Sequence, residues 1–531
     1  MGFQKNFYLN IEQYRNWIIS VFFLVFLLIG ILIYRDYGLT SDTTHQKLIG
    51  EYSYNYIFHG SQELFKSVDK EYGSAFELTI TYLYELFRLH TDEQIYYFRQ
   101  LVIFLSFFVG TIFFYLLIKL RFKNWKIGLL GALLVILSPR IFEGAFFNSK
   151  DIPFMVFSII SLYTLFKFDE KMRMGDAIIH GAVTGYLIAI RPIGLLMVAM
   201  TGLIWLIRVI IEIKNHTIHY GRYAALLALF LGFTVLSTYL WWPWLWPNPI
   251  KNFVYAFTSF SQYTTWQGQV LYMKSLYNPT HLPWHYTSVW ILITTPLIYS
   301  FYFFIGLIAI IHRLIKQRIN LSDISNRQDL IIFGWFFIPL FTVAVLHSVL
   351  YSGWRHMFFV YPAMLFISAL GIRSLINTVK VYFHKSIPLI LLQVTLALSL
   401  LGTVISMIVY HPYEGIYYNI LAGRNLKAAK VRYGLDFYGL CAKESLDYLL
   451  AHADDQYFSI FPSTSVIERS TFLLPMAERS RITWKPAFNQ TDYFIEAPQE
   501  LRETFYVPHN FRLFYSVTRG GVDLCTVYIN R

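Results

Sequence analysis

Charge is scarce in this 531-residue chain: 14% of residues are charged, against 56% hydrophobic. That balance excludes an ordinary soluble domain and describes a polytopic membrane protein. Cysteine is nearly absent, with only Cys441 and Cys525 present, and no acid-rich or Cys/His cluster suits a tightly held metal. There is no phosphate-cradling glycine loop of the Walker type, no His-Glu-x-x-His and no nucleophile elbow. An ATP-driven pump built into the chain is thereby disfavoured. Internal repeats and low-complexity segments are missing as well.

What is present is a series of apolar runs. The first, Trp17–Tyr34, lies between Arg15 and Arg35 and reads as an uncleaved membrane helix rather than a signal peptide. About eleven spans follow from the pattern: 17–34, 98–118, 126–138, 152–166, 177–190, 193–211, 223–241, 287–311, 331–350, 357–372 and 387–409. Alternate loops and the N-terminal tail hold 18 Lys and Arg against 7 Asp and Glu, whereas the rest of the chain is nearly neutral at 26 against 25. The positive-inside rule then predicts a cytoplasmic N-terminus. An odd span count sends the C-terminal 120 residues to the outer side. The net charge of +12 is thus a matter of topology, and a nucleic-acid partner is not expected.

The outer side carries the unusual features. Loop 35–97 contains two amphipathic stretches, His45–Phe58 and Ala75–Leu89, expected as helices in the membrane interface. Segment 242–286 is rich in Trp and Pro, as befits an interfacial belt. Residues 411–531 alternate a helix at Ala442–His452 with strands at Tyr457–Phe461, Arg481–Lys485, Tyr493–Glu496 and Val522–Ile529. The expectation is an all-α membrane domain over 1–410 and a small α/β extracytoplasmic domain over 411–531. Cys441 and Cys525 both fall in the latter, where they could form a bridge or stand as free thiols.

Between two spans lies Ser138-Pro-Arg-Ile-Phe-Glu-Gly-Ala-Phe-Phe-Asn-Ser-Lys-Asp151, a short polar hairpin with Arg140, Glu143, Lys150 and Asp151. Asp42 follows the first span on the same side. Together with Arg191, Arg355 and His356 these residues sit at outer span ends. Carboxylates at a membrane–water boundary can serve as general bases, and cations beside them suit a phosphate leaving group. A lipid-tailed substrate with a phosphate at the surface fits this set. Plainer roles exist. Asp42 could cap a helix starting near Thr43, and Asp151 the fourth span. Arg140 and Lys150 could be snorkelling residues, and His356 an interface residue. Glu143 is a weaker candidate than Asp151. Arg191 begins a span inside an apolar stretch and needs a partner.

These segments resemble the GT-C membrane glycosyltransferases, in particular the family 39 group with its protein O-mannosyltransferases and lipid A aminoarabinose transferases. The likeness rests on Gly38…Ser41-Asp42…Gln46, on Ser-Pro-Arg-Ile-Phe…Asn-Ser-Lys-Asp-Ile-Pro at 138–153, and on Arg191-Pro192-Ile-Gly194. It extends through Trp-Pro-x-Leu-Trp-Pro-Asn-Pro at 242–249, Leu-Pro-Trp-x-Tyr at 282–286, Gly353-Trp-Arg-His356, His411-Pro-Tyr413 and Leu435-Asp-Phe-Tyr-Gly439. The resemblance implies a GT-C fold, a catalytic base at Asp42 and a second acid at Asp151. Many relatives pair Asp with Glu in the first loop, whereas this chain has Asp42-Thr43, so Asp42 stands alone.

The function expected is transfer of a sugar from a polyprenyl-phosphate donor to a glycan, lipid or protein hydroxyl at the outer face of the inner (plasma) membrane. Arg140, Lys150, Arg191 and Arg355 are candidates for the donor phosphate, His356 for substrate binding, and Trp246 and Trp284 for sugar or lipid. No cofactor is indicated with certainty, and one loosely bound divalent cation shared by Asp42, Asp151 and the phosphate is compatible with the set. The alternative is a lipid or small-molecule transporter or flippase, which would place its charges near the bilayer midplane. An outer interaction module on a membrane anchor ranks below both, since eleven spans exceed what an anchor needs.

Overall fold

The computed structural model describes residues 12–261, 268–316, 320–382, 387–497 and 507–530. Arg318 and Lys385 of the basic loops lie outside these. In chain order the first helices are α1 (Arg15–Ile33), α2 (Ser41–His59), α3 (Ala75–Leu86), α4 (Asp92–Phe122), α5 (Trp125–Ile136) and the short α6 (Pro139–Gly144). Then come α7 (Asp151–Lys171), α8 (Met174–Ile190), α9 (Leu195–Lys214), α10 (Tyr220–Trp241) and α11 (Pro249–Ser261). The membrane part ends with α12 (Tyr286–Thr294), α13 (Leu297–Lys316), α14 (Ile324–Leu346), α15 (Tyr361–Tyr382) and α16 (Ile387–Tyr410). Among the described residues nine helical segments are long and apolar enough to cross a membrane, and α5 and α8 are shorter apolar helices.

Each of the eleven expected spans has a helical counterpart, but the eighth is broken. Thr295 is extended, with ψ 139°, and Pro296 forces that geometry on the residue before it, so α12 ends and α13 begins three residues on. Asn419 caps the break. Its side-chain amide donates to the carbonyls of Leu292 (2.6 Å) and Thr295 (2.8 Å), and its own N–H to that of Ile293 (2.9 Å).

Elsewhere local chemistry sets the helix ends. Thr91 accepts from Gln94 N–H at the start of α4, Asn124 from Lys126 N–H at α5, and Asp323 from Ser325 N–H at α14; each satisfies an orphan donor. Close packing of α13 on α15 depends on paired glycines. A Cβ on Gly306 would lie 2.0 Å from Ile367 O, and one on Gly371 1.9 Å from Tyr302 O, the small-residue contact through which membrane helices approach. The most buried spans are α7 and α15, and they support the hairpin between α5 and α7.

The C-terminal segment adds α17 (Leu426–Tyr433), α18 (Cys441–His452) and a sheet. An antiparallel hairpin of β1 (Val270–Tyr272) and β2 (Ser275–Tyr277) lies earlier in the chain. The sheet comprises β3 (Phe458–Pro462), β4 (Ile482–Trp484), β5 (Tyr493–Glu496), β6 (Phe511–Arg519) and β7 (Val522–Asn530), in the order β4-β3-β5-β7-β6. β3 runs parallel to β4 and β5, whereas β7 is antiparallel to β5 and β6. β6 was not foreseen: its burial lacks the strict alternation that marks a half-buried strand. A disulfide joins Cys441 to Cys525 and pins α18 to β7. This segment rests on the membrane part through Arg479–Asp92 (3.0 Å), Arg469 donating to Ser41 O (2.6 Å), and Phe472 stacked on Tyr96 at 5.5 Å.

Candidate active site

The 138–151 hairpin is a buried wedge rather than a polar surface loop. Arg140, Glu143, Asn148, Ser149 and Asp151 are all under 9% exposed, because residues 411–440 and the first outer loop cover them. Glu143 is one attachment of that cover. Its carboxylate accepts Gly415 N–H at 2.9 Å, so closely that a Cβ at 415 would sit 2.1 Å from Glu143 Oε2. Burial, then Glu414 and Asp436, push the Glu143 carboxyl well above the usual carboxylate range. Its place is structural.

At the other end of the wedge Asn148 performs the capping expected of Asp151. Its Oδ1 accepts from Asp151 N–H (2.7 Å) and Lys150 N–H (3.2 Å). Asn148 also donates through Nδ2 to Asp151 Oδ2 at 2.9 Å, while Asp151 Oδ1 is paired with Arg191. Both oxygens of Asp151 are therefore engaged, and its side chain is 4% exposed. Arg191 gains the partner its position required, at the C-cap of α8 where Pro192 opens a new turn.

Asp42 does not cap α2 either. Thr40 and Thr43 form a capping box there, leaving the Asp42 carboxylate free to pair with Arg355. Its side chain remains 45% exposed, against 8% for Arg355. Burial pushes the Asp42 carboxyl up, but Arg355 and then Lys150 outweigh it and leave it below the usual carboxylate range. Lys150 extends over the Tyr72 ring, 3.3 Å from its centroid. Burial, then Arg191, pull Lys150 down to about 7 against Asp151 and Asp42. His356 stands edge-on to Tyr351 at 4.7 Å, in the field of Arg355, Arg191, Lys150 and Asp42. Buried polar atoms without a partner remain here: Nε of Arg191, Nε of Arg355 and Nδ1 of His356.

The structure thus brings Asp42, Lys150, Asp151, Arg191, Arg355 and His356 into one cluster. Arg140 is set behind it, among Trp290, Tyr418 and Phe437 at 5.2, 5.4 and 5.8 Å, with Nε and Nη2 lacking partners. The two tryptophans stand apart. Trp246 donates to Tyr239 O at 2.7 Å and packs on Tyr56. Trp284, 76% exposed, rims an apolar cavity of about 700 Å³ walled by Phe304, Phe337 and Phe341.

Sequence reading missed the support beneath the hairpin. Ser149 donates to Glu77 of α3, and Glu77 is paired with Arg99 of α4 at 2.7 Å. Glu77 is 2% and Arg99 1% exposed. The available signal was Glu77 lying among Ala75, Phe76 and Leu78, an acid on an apolar stripe that needs a buried cation. No cluster of protein ligands for a divalent cation is assembled here. Each carboxylate is engaged by an arginine, and among the described residues no group of three His, Cys, Asp or Glu comes together.

Comparison with known proteins adds to this geometry. Residues 75–242 match the family model of dolichyl-phosphate-mannose-protein mannosyltransferases. The fold is similar to apo ArnT from Cupriavidus metallidurans, with TM-score 0.50 and 15% identity over 96% of this chain and 98% of that one. ArnT bound to undecaprenyl phosphate gives TM-score 0.48 and 14% identity over the same shares. The Archaeoglobus fulgidus oligosaccharyltransferase gives 0.44 and 12%, over 86% of this chain and 61% of that one. No curated protein sequence matches. The chain thus has an ArnT-like fold over nearly its whole length, and its residues 75–242 carry the pattern of the mannosyltransferase family.

Proposed function

We propose that the chain transfers a sugar from a polyprenyl-phosphate donor to a glycan, lipid or protein hydroxyl, in one displacement with inversion at the anomeric carbon. The carrying observation is the inequality of two carboxylates in one cationic field. Asp42 keeps an open face beside Arg355, whereas both oxygens of Asp151 are occupied. Asp42 is ionised at neutral pH and accepts the proton of the acceptor hydroxyl. The acceptor oxygen bonds to the anomeric carbon as the carbon–phosphate-oxygen bond breaks, and polyprenyl phosphate leaves with the electron pair. Attack opposite the leaving group follows the general-base half of an inverting glycosidase. Lys150, Arg191 and Arg355 take the negative charge that develops on the phosphate. Asp151 holds Arg191 in that arc and is not the proton acceptor. The cavity at Trp284 receives the prenyl chain.

In this reading residues 1–410 form the transferase and 411–531 an extracytoplasmic domain. The N-terminus is cytoplasmic in the inner (plasma) membrane, as the loop charges support. Charges gathered at helix ends, instead of at broken helices in the midplane, disfavour the transporter alternative. The test is Asp42→Asn and Asp151→Asn, with donor binding followed by native mass spectrometry and polyprenyl phosphate release measured in the same samples. Asp42→Asn should bind donor and lose roughly 10²–10⁴-fold in turnover, the span of a general base. Asp151→Asn should weaken donor binding. Wild-type release by Asp42→Asn would sink the base assignment.

A further inference from the structure

At the opposite end of the bundle lies a second cationic cavity. It has a volume of about 460 Å³ and is formed where α4 and α13 end, α14 begins and α15 finishes. α15 starts at Tyr361, just past Arg355, and its 22 residues carry its end about 33 Å from the reaction site. Arg121, Arg313 and Arg373 contribute to the wall, together with Ser374, Asn377 and Thr378. Two carboxylates oppose the three guanidinium groups. Asp329 lies between Arg121 (2.9 Å) and Arg313 and holds both. Asp323 also lines the cavity, its Oδ1 occupied by Ser325 N–H at 2.9 Å.

Arg373 is different. Its Nη1 donates to Phe122 O at 2.9 Å, and its guanidinium lies over the Phe122 ring at 5.1 Å. Among the described residues no carboxylate pairs with it, and the charges that act on it are the like charges of Arg121 and Arg313. Three cations held together at a helix end lack a complete set of counter-charges. Residues 373, 374, 377 and 378 fall one turn apart on one face of α15, so the unmatched guanidinium sits beside a hydroxyl–amide–hydroxyl row. That is a donor set for a tetrahedral anion, with arginine forking two of its oxygens. The same cavity is flanked by Leu370 and Val381 and by Tyr382, the last two 68% and 75% exposed. An anion bearing apolar chains satisfies both halves.

We propose that this cavity binds the phosphate of an anionic phospholipid headgroup, its acyl chains lying along Val381 and Tyr382. Basic recesses between helix ends are suited to such headgroups. The site is independent of the sugar-transfer chemistry and stands or falls without it.

Native mass spectrometry of the full chain tests it, with delipidated protein offered phosphatidylglycerol, phosphatidylcholine or inorganic phosphate. Wild type should retain phosphatidylglycerol in preference to phosphatidylcholine. Arg373→Gln should reduce that retention about tenfold, the scale of one charge-assisted hydrogen bond. Asn377→Asp, at an exposed position where folding is not at stake, should reduce it similarly by repulsion. Equal retention of the two lipids, or retention unchanged in both variants, overturns the proposal. Displacement of phosphatidylglycerol by millimolar inorganic phosphate would make the ligand a soluble phosphate and overturn the lipid assignment. Because polyprenyl phosphate release is read at the other end of the bundle, a failed transfer reaction would leave this binding result intact.

Discussion

Substituting Glu77→Met tests whether the buried pair beneath the hairpin holds the active cluster in place. Glu77 and Arg99 are almost fully buried and 2.7 Å apart, and Ser149 leans on the same carboxylate. Removing Glu77 leaves Arg99 a buried cation without its partner; its Nε and Nη1 already lack one. Breaking such a pair costs about 3–5 kcal/mol. Spread over a chain of this size, with an unfolding entropy of about 2 cal/mol/K per residue, that is a fall in Tm of roughly 3–5 °C. Glu77→Met/Arg99→Met removes both charges and should recover most of the loss, because apolar replacement of a buried pair is often near neutral. Thermal unfolding of both variants in detergent, followed by tryptophan fluorescence, gives the coupling. Turnover separates packing from positioning. The double variant should regain stability yet stay slow, since Ser149 has lost its acceptor and the Lys150–Asp151 arm is no longer clamped. Equal Tm losses in single and double variants would refute the argument, as would wild-type turnover in the double variant.

Lys150, held down to about 7, is charged below that pH and neutral above it. Affinity for an intact polyprenyl-phosphate sugar, a diester that does not itself titrate in this range, should therefore fall about tenfold from pH 6 to 8.5. Lys150→Arg should flatten that profile; a flat profile in wild type would remove Lys150 from the phosphate site. The Cys441–Cys525 bridge spans a sequence separation of 84, and its loss in Cys525→Ser should cost about 4–5 kcal/mol on the chain-entropy account. Thermal unfolding with and without reductant checks this, and a reductant-insensitive wild type would count against the bridge.

Much of the architecture was legible because a membrane span needs a long apolar run and little else. The break between α12 and α13 was written in Pro296 but hidden by apolar residues on both sides. Asp42 and Asp151 could be found because a carboxylate at a span end is costly unless used. Their roles could not, because capping is decided by which neighbour reaches the free N–H groups first. Thr40 and Asn148 did so, and neither was singled out. Glu77 and Arg99 lie 22 residues apart, and no local rule pairs an acid on one amphipathic helix with an arginine on the next. Trp246 and Trp284 are interfacial by composition, but only packing shows that neither reaches the charged cluster.

Two aspartates among the same cations come to differ through the hydrogen bonds around them. Asp151 starts α7, next to Asn148, whose amide closes one oxygen while Arg191 closes the other. Asp42 begins a helix already capped by threonines, so it spends no lone pair on the backbone. One arginine steadies its charge, and its side chain stays 45% exposed. Arg355 makes it a weaker base in water terms, yet keeps the ionised form present to lower pH than an ordinary carboxylate. In the proposed reaction, proton acceptance and phosphate binding are available together between the protonation of Asp42 at acid pH and about pH 7, where Lys150 sets the upper edge.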